Sequence, residues 1–326
     1  METMSQRILV TGASGFIGSH VCQRLLTLGY RVRALVRGAQ SLDFNSQLNL
    51  ESFPGDLQNL HSLKAACDSV DIVVHLAGIS HANNISSKRL IDINTLGTQS
   101  LLTAAISQNV KKFIFLSSTL AETLDDEGLP TTVYGSSKLR AERLLLDAHN
   151  AGSIKALVLR PANVYGPGMK GNISTLISLI SRDRIPLLPL LNTRISLIGI
   201  SDISQAIELA MKDDNSGGNT YTLTDGETYI ISDLESQIYE ALDKTRPRWR
   251  CPLIVLCLGL FLTGIFVKAL NIFGLNTPSI AGVSYRTYKN LITDNLFDNS
   301  KACINLGFEP SETFYDSLPK CVSDYK

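Results

Sequence analysis

The chain of 326 residues has no excess of charge of either sign, because 30 Lys and Arg residues balance 30 Asp and Glu residues. It also has no basic stripe interleaved with aromatic residues. A protein that binds nucleic acid through its surface carries such a basic excess. We therefore expect no nucleic-acid partner. A content of 44% hydrophobic residues indicates a globular protein with an ample core.

Cysteine is sparse and follows no pattern. The six cysteines are scattered, with no C-x-x-C pair and no histidine at the spacing of a zinc ligand. This usage is typical of reduced thiols in a cytosolic protein, so we expect no metal site. The amino terminus, METMSQR, is polar and runs directly into a strand pattern, which is not the pattern of a signal peptide. These features predict a cytoplasmic location.

Short β-branched runs alternate with helical stretches in the first half of the chain. RILVTGA (7–13) has the pattern of a buried strand, and FIGSHVCQRLLTLG (16–29) has apolar residues at helical spacing. Further strand patterns lie at residues 31–37, 70–78, 111–118 and 155–166. The alternation predicts an α/β fold, a Rossmann-type doubly wound parallel sheet, over residues 1–166. Residues 167–326 are predicted to form a smaller, mostly helical substrate-binding domain, partly interleaved with the first.

A glycine-rich turn follows the first strand pattern. Gly12, Gly15 and Gly18 are separated by two residues each, and they open the first predicted helix. Glycines at this place let the backbone turn tightly, so that a pyrophosphate can approach the amide groups at the helix amino terminus. We predict that residues 1–166 bind a nicotinamide dinucleotide.

The end of the second strand bears on the choice between NAD and NADP. An NAD site usually has a carboxylate there, whereas this chain has Val36 followed by Arg37. A guanidinium can pair with a 2′-phosphate, so the pattern favours NADP(H), with NAD(H) as the alternative. Asp56, after the third strand, is placed to accept a hydrogen bond from an adenine amino group, and a helix cap is the alternative.

Residues 251–267 (CPLIVLCLGLFLTGIFV) contain no charged residue. At 1.5 Å per residue, a helix of this length is about 25 Å long, slightly short of a bilayer core. Arg248, Arg250 and Lys268 flank the run at headgroup distance. The hypotheses are a buried or pocket-covering helix, a contact with the membrane surface, and a true span.

The motifs together resemble the extended short-chain dehydrogenase/reductase family, of the NAD-dependent epimerase/dehydratase type. They occur in family order over nearly the whole chain: TGASGFIG (11–18), GDL (55–57), HLAG (75–78), NTLGT (94–98), FLSS (115–118), YGSSK (134–138), RPANVYGPG (160–168) and DNSKACINLGFEP (298–310). The segments GPGMKGN (166–172) and IPLLPL (185–190) are most similar to bacterial nucleotide-sugar 4-keto-hexosamine reductases and 4-epimerases of surface-polysaccharide synthesis.

The resemblance implies roles for individual residues. Ser118, Tyr134 and Lys138 would be catalytic. Residues implied to bind the cofactor are Gly12, Ser14, Gly15, Phe16, Ile17, Gly18, Arg37, Asp56, Leu57, Leu76, Ala77, Gly78, Asn94, Tyr134, Lys138 and Pro161. Residues implied to bind the substrate are Ser118, Thr119, Asn163, Asn172 and Arg194. The resemblance also implies a homodimer that associates through the Tyr-Lys helix and its neighbour.

Tyr134 and Lys138 are four residues apart, which places them on one face of a helix. A free phenol has a pKa near 10, too high for a proton shuttle at neutral pH. We expect the lysine ammonium, with an oxidised nicotinamide ring nearby, to favour the phenolate and lower that pKa.

Four hypotheses about function follow. The first is a UDP-4-keto-hexosamine reductase that acts at carbon 4 of a nucleotide-activated hexose, and the second is a UDP-hexose or UDP-N-acetylhexosamine 4-epimerase with tightly bound NAD. The third is a related enzyme on a polyprenyl-linked sugar or a steroid-like alcohol, with peripheral contact to the inner face of the membrane through residues 251–267. The fourth is a non-catalytic NADP-binding sensor. The reductase and the epimerase share every catalytic residue, so the motifs alone do not separate them.

Overall fold

A computed structural model describes residues 6–38, 48–79, 86–259, 262 and 291–325. By internal contacts the chain divides into two compact units. The first contains residues 1–162, 200–224 and 298–311, and the second contains residues 163–199, 225–297 and 312–326. The predicted division into binding domains after residue 166 stays a prediction.

The first unit is built on a sheet of seven parallel strands. Its strands are β1 (Arg7–Thr11), β2 (Arg31–Val36), β3 (Leu50–Pro54), β4 (Ile72–His75), β5 (Lys112–Leu116), β6 (Lys155–Pro161) and β10 (Thr220–Leu223). They lie in the order β10-β6-β5-β4-β1-β2-β3, and every neighbouring pair is parallel. The order reverses direction between β1 and β4, which is where doubly wound sheets bind ligands.

Helices cover both faces of this sheet, which confirms the predicted Rossmann-type fold. The helices of the first unit are α1 (Phe16–Thr27), α2 (Leu60–Cys67), α3 (Ser87–Ile91), α4 (Gly97–Ser107), α5 (Val133–Asn150), α7 (Ile200–Lys212) and α9 (Ser300–Leu306). Side chains of α2, α4 and α5 share a buried core with Leu9, Val73 and Phe113 of the strands. Because side chains alternate along a strand, the neighbouring residues of β1 and β4 face the other layer, where α1 and α7 pack together.

The second unit contains short strands and amphipathic helices. Its described elements are β7 (Asn163–Tyr165), α6 (Asn172–Ser181), β8 (Arg194–Ile195), β9 (Leu197–Gly199), β11 (Tyr229–Ile230), α8 (Ile231–Ala241), a helical stretch at residues 253–259, and α10 (Phe314–Val322). β7 pairs with β9, and β8 pairs with β11. Tyr229, fully buried, donates a hydrogen bond to Asp225 (2.6 Å) and accepts one from the amide of Phe314 (2.8 Å), which fixes the start of α10.

The apolar run at residues 251–267 lies only partly within the described residues. Residues 253–259 are helical, while 260, 261 and 263–267 lie outside the described part. Among the helices of the described ranges, none is long and apolar enough to cross a bilayer.

Candidate functional site

The turn after β1 requires glycine at two positions. Gly12 has φ +74°, and a Cβ built on it would lie 2.7 Å from the amide nitrogen of Ala77. A Cβ on Gly18 would lie 2.0 Å from the carbonyl oxygen of Gly12, far inside a normal contact. Within the turn, the amide of Gly15 donates to the carbonyl of Gly12 (2.9 Å). The turn therefore packs against α1 and the Ala77 loop with no room for a side chain.

The amino terminus of α1 fits a pyrophosphate. Gly15 is its N-cap residue and has no side chain to cap the helix, and no acidic residue lies in the first turn. The first amides of a helix have no partner within it, so a ligand or water must meet those of Phe16, Ile17 and Gly18. Ser14 and Gly15 are exposed beside them. A dinucleotide phosphate would be held here by backbone donors and the helix dipole.

A buried chain of hydrogen bonds connects the glycine turn with the residues after β4. The amide of Ala77 donates to Thr11 Oγ1 (3.2 Å), and Thr11 Oγ1 lies 2.6 Å from His75 Nδ1. On the other side of the ring, Nε2 lies 2.8 Å from Thr98 Oγ1, which donates its proton to the carbonyl of Asn94 (2.7 Å). Since Thr98 uses its proton on Asn94, His75 Nε2 must be the donor and Nδ1 the acceptor from Thr11.

This assignment requires a neutral imidazole. Burial, with a smaller effect from the charge of Lys138, lowers the pKa of His75 from 6.5 to about 3. A second proton on Nδ1 would reverse this hydrogen bond, and the hydroxyl proton of Thr11 would then need another acceptor. His75 is therefore a neutral link between the end of β4 and its neighbours.

Asn94 lies in a π-helical turn, Asp92–Leu96, between α3 and α4. In such a turn each backbone hydrogen bond joins residues five apart instead of four, which widens the helix, and turns of this kind are frequent at functional sites. The side chain of Asn94 accepts from the amide of Ile79 (2.8 Å) and donates to the Ile79 carbonyl (3.0 Å) and to Ser137 Oγ (3.1 Å). Asn94 thus joins the loop after β4 to α5. Its predicted contact with the cofactor stays a prediction.

Ser118 and Tyr134 are brought together by a close approach of two backbones. Thr132 caps α5, accepting from the amide of Gly135 (2.8 Å). A Cβ on Gly135 would lie 2.1 Å from the carbonyl oxygen of Leu120, so only glycine lets α5 approach the short 3₁₀ helix Thr119–Ala121. In this arrangement the hydroxyl of Ser118 lies near the phenol of Tyr134 and acts on its pKa.

The phenol of Tyr134 has a raised pKa in this structure. Burial raises it from 10 to about 12, and the interaction with Ser118 opposes the rise. The sequence predicts a lowered pKa for Tyr134 when both Lys138 and an oxidised nicotinamide ring are near it. That lowering stays a prediction. Removal from water is the dominant effect on the phenol, because a buried phenolate loses its solvation.

Lys138 is buried at the centre of the first unit's carboxyl edge. Its Nζ donates to the carbonyl of Leu116 (2.9 Å) and lies 4.6 Å from the centre of the Phe115 ring. A Cβ on Gly78 would lie 3.4 Å from this Nζ and 3.1 Å from Asn94 Oδ1, so the three residues converge. Burial lowers the pKa of Lys138 to about 8, and the carboxylate of Glu142 acts in the opposite direction.

A neutralising ion network lies beside Lys138. Glu142, four residues further along α5 and buried, accepts from Arg160 Nε (2.9 Å) and from the hydroxyl of Ser117. Arg160 also donates to Glu122 (2.7 Å), whose carboxylate accepts from Thr222 on β10 (3.1 Å). The hydrogen bonds and charges of the two carboxylates outweigh burial and raise the pKa of Arg160. Two cations and two anions thus balance within the site.

The other predicted cofactor residues lie at the ends of neighbouring strands of the same unit. Arg37 is exposed and follows β2, whose last residue Val36 is buried. Asp56 accepts from the amide of Gln58 (2.8 Å) and so stabilises the turn before α2, whose N-cap is Asn59. The remainder occupy the carboxyl edge of the sheet: Leu57, Leu76, Gly78 and Pro161. Their roles in binding stay predictions.

Three predicted substrate residues belong to the second unit. Asn163 is exposed in β7, and Asn172 is exposed at the start of α6. Arg194 donates through Nε to Asp294 (2.8 Å) and pairs with it through a second nitrogen (2.7 Å), so its charge is already matched. Thr119, in the first unit, is buried directly after Ser118. All four assignments stay predictions.

Several residues of the site were not identified from the sequence. They are Thr11, His75, Thr98, Thr132, Gly135, Ser137, Glu142 and Arg160. The Thr-x-x-Gly order at 132–135 contained a signal, since threonine is a preferred N-cap three residues before the amide it accepts from. No group of His, Cys, Asp and Glu that could hold a metal occurs in the described ranges.

Comparison with known proteins gives one family. The family model described as "NAD dependent epimerase/dehydratase family" matches residues 8–226. The UDP-glucose 4-epimerase of Vibrio cholerae is 28% identical over 79% of this chain and 82% of its own length. An Escherichia coli O157:H7 protein, N-acetyl-α-D-glucosaminyl-diphospho-ditrans,octacis-undecaprenol 4-epimerase, is 26% identical over 81% of each chain. The crystal structure of UDP-glucuronic acid 4-epimerase from Bacillus cereus, in complex with UDP-glucuronic acid and NAD, superposes with a TM-score of 0.75, 25% identity and 98% coverage of both chains.

The neutral state of His75 predicts a pH dependence of stability. The folded-state pKa of His75 is about 3 against 6.5 for the ordinary group, so between these values the unfolded chain binds a proton that the folded chain does not. Stability is therefore lost as the pH falls through this window, by up to about 1.4 kcal/mol per pH unit. From pH 7 to pH 5, His75 should account for a loss of about 2 kcal/mol in the free energy of unfolding.

Urea denaturation at both pH values measures this contribution. His75→Gln should be less stable than the wild type at pH 7, yet its free energy of unfolding should fall by about 2 kcal/mol less between pH 7 and pH 5. His61→Gln is the matched control, because His61 is exposed. Equal pH slopes for His75→Gln and the wild type would show that His75 is not held neutral.

Proposed function

Because this chain belongs to the NAD dependent epimerase/dehydratase family, we propose that it is an NAD(P)-dependent oxidoreductase acting at carbon 4 of a nucleotide-activated hexose. In the form we favour, it is a UDP-4-keto-hexosamine reductase. The observation that carries this proposal is that the side chains of Ser118 and Tyr134 are close enough to interact, with Lys138 anchored one helical turn further along α5. These groups share the carboxyl edge of the sheet with the glycine turn.

Each of the three residues Ser118, Tyr134 and Lys138 has a separate role in the proposed reaction. When bound, a nicotinamide dinucleotide supplies the transfer of hydride to or from a carbon atom. Tyr134 would donate a proton to, or accept one from, the hydroxyl oxygen at that carbon, and Ser118 would hydrogen-bond the same oxygen. Lys138 supplies positive charge on the face of α5 that carries Tyr134, and together with an oxidised nicotinamide ring it would favour the phenolate form of the tyrosine.

Glu142 maintains that charge. Burial alone favours a neutral lysine, since a desolvated ammonium is costly. The carboxylate of Glu142 opposes this effect, and Arg160 and Ser117 hold the carboxylate in place. Lys138 therefore has a pKa of about 8 and is mostly protonated at neutral pH.

A 4-epimerase with tightly bound NAD is the second candidate. The printed names of the Vibrio, Escherichia and Bacillus relatives support it, since all three are 4-epimerases. Arg37 supports the reductase instead, because an exposed guanidinium after β2 suits a 2′-phosphate and a reductase commonly uses NADPH. Preference for NADP(H) is thus part of the proposal.

Two further hypotheses have narrower support. The undecaprenol-linked substrate in the name of the Escherichia coli relative supports the polyprenyl-linked alternative. The steroid-like alcohol is supported by the name of a Mycobacterium tuberculosis relative, 3β-hydroxysteroid dehydrogenase/Δ5→4-isomerase, which is 26% identical over 100% of this chain. A non-catalytic sensor has no need of Ser118 and Tyr134 side by side, so this arrangement is evidence against a sensor. A homodimer and a cytoplasmic location stay predictions.

Substitution of the proposed acid tests the assignment. Tyr134→Phe should lower turnover of a UDP-4-keto-hexosamine or a UDP-hexose by about 10²- to 10⁴-fold, because the ring remains and the proton donor is lost. The Kd for the nucleotide and the melting temperature should stay near the wild-type values. Turnover within a few-fold of the wild type would exclude Tyr134 as the acid/base.

The identity of the cofactor separates the two candidates. We expect freshly purified protein to release little nucleotide on denaturation and to bind NADPH reversibly. Arg37→Gln should weaken NADPH binding roughly 10- to 100-fold, as expected for the loss of a charge-assisted hydrogen bond, and leave NADH binding unchanged.

The matched control is Arg31→Gln, since Arg31 is exposed at the opposite end of the same strand. Stoichiometric NAD that remains through purification would instead identify the epimerase. An equal loss of affinity for NADPH and NADH in Arg37→Gln would remove Arg37 as the selective residue.

A further inference from the structure

The second unit exposes an apolar surface around the helical stretch at residues 253–259. We define this apolar surface by six residues: Trp249, Leu253, Ile254, Val255, Leu258 and Leu262. Ile254 is 73% exposed and Trp249 is 56% exposed. Leu253, Ile254 and Val255 are consecutive, so they point in different directions from the helix, and yet all are exposed. A large exposed apolar area of this kind marks an interaction site.

The start of the apolar surface is firmly held by its own unit. The amide of Cys251 donates to the carbonyl of Leu187 (2.8 Å), and Arg250 donates to the carbonyl of Leu188 (2.7 Å). Arg250 also pairs with the buried carboxylate of Glu235 (3.1 Å), which accepts from the amide of Leu188 as well (2.6 Å). The apolar side chains are thus presented from a fixed backbone.

Charge identifies what the apolar surface binds. Residues 244–259 contain four Lys and Arg residues and no Asp or Glu. Arg246 and Arg248 are exposed immediately before Trp249. An apolar surface beside exposed arginines and a tryptophan matches an anionic lipid headgroup layer, which attracts each cation near it.

A second copy of the chain is a poorer match. In a two-fold symmetric dimer the same surface faces itself, so arginines would approach arginines with no acid in the segment to compensate. Among the described helices, none is long and apolar enough to cross a bilayer. Apolar side chains beside exposed arginines suit docking at the level of the headgroups.

We propose that the apolar surface docks this protein on anionic lipid membranes, with Trp249 and Ile254 inserted and Arg246 and Arg248 at the headgroups. Docking concerns the second unit alone and does not depend on the proposed activity, so either can fail without the other.

Trp249 is the single tryptophan of the chain and reports directly on docking. With the full-length protein, vesicles of phosphatidylcholine and phosphatidylglycerol should shift its emission to shorter wavelength, and brominated lipid should quench it. Pure phosphatidylcholine should give neither effect. Arg246→Gln with Arg248→Gln should weaken binding roughly 30-fold, at about fivefold for each charge near the surface, and added salt should weaken wild-type binding in the same way.

Ile254→Glu should abolish co-sedimentation with the anionic vesicles. Its matched control is Ile304→Glu, since Ile304 is 80% exposed on α9 of the first unit and should be replaceable without loss of binding. Equal melting temperatures show that both variants are folded. Docking is wrong if the wild type binds neither vesicle, binds both equally, or binds as well after Ile254→Glu. A change of the sedimentation coefficient in Ile254→Glu without vesicle binding by the wild type would assign the surface to a second copy instead.

Discussion

The hydrogen bonds of the neutral His75 ring fix the relative positions of the elements that form the site. Thr11 ends β1, His75 ends β4, and Thr98 lies in α4 directly after the π-helical turn of Asn94. A buried polar group that loses its partner costs about 1–3 kcal/mol, so each bond strongly favours one position of its neighbours. The glycine turn and the Asn94 turn are therefore set by one ring. Asn94 then passes this constraint to α5 through Ser137.

Electrostatic balance explains how a buried lysine coexists with that neutral ring. Lys138 contributes a positive charge that disfavours a second charge on His75, and Glu142 limits the cost of burying the lysine. The carboxylate of Glu142 would be costly on its own, but Arg160 and Glu122 complete a neutral set. A change in any one of these groups leaves an unmatched charge in a dry region. The network thus fixes the charge state of the site as well as its geometry.

The parts of the site that depend on neighbouring residues in the chain could be predicted from the sequence. The glycine turn and the Tyr134–Lys138 face are of this kind, because spacing alone determines which residues share a turn of backbone. Contacts between distant segments could not be predicted. Thr11 and His75 are 64 positions apart, and Gly135 fits against Leu120 only in the folded chain. The effect of burial on protonation could not be predicted either, since the raised pKa of Tyr134 follows from tertiary packing.

Membrane docking and catalysis place different demands on the sequence. The proposed reaction requires particular atoms of the first unit at fixed positions, so a single substitution of Tyr134, or of Gly135 that lets α5 approach Leu120, should impair it. The apolar surface of the second unit requires only exposed apolar area and an excess of cations, which many sequences satisfy. Turnover of a water-soluble nucleotide sugar would therefore be compatible with docking. Docking would raise the local concentration of any lipid-linked substrate, and it would leave the proposed proton transfer at Tyr134 unchanged.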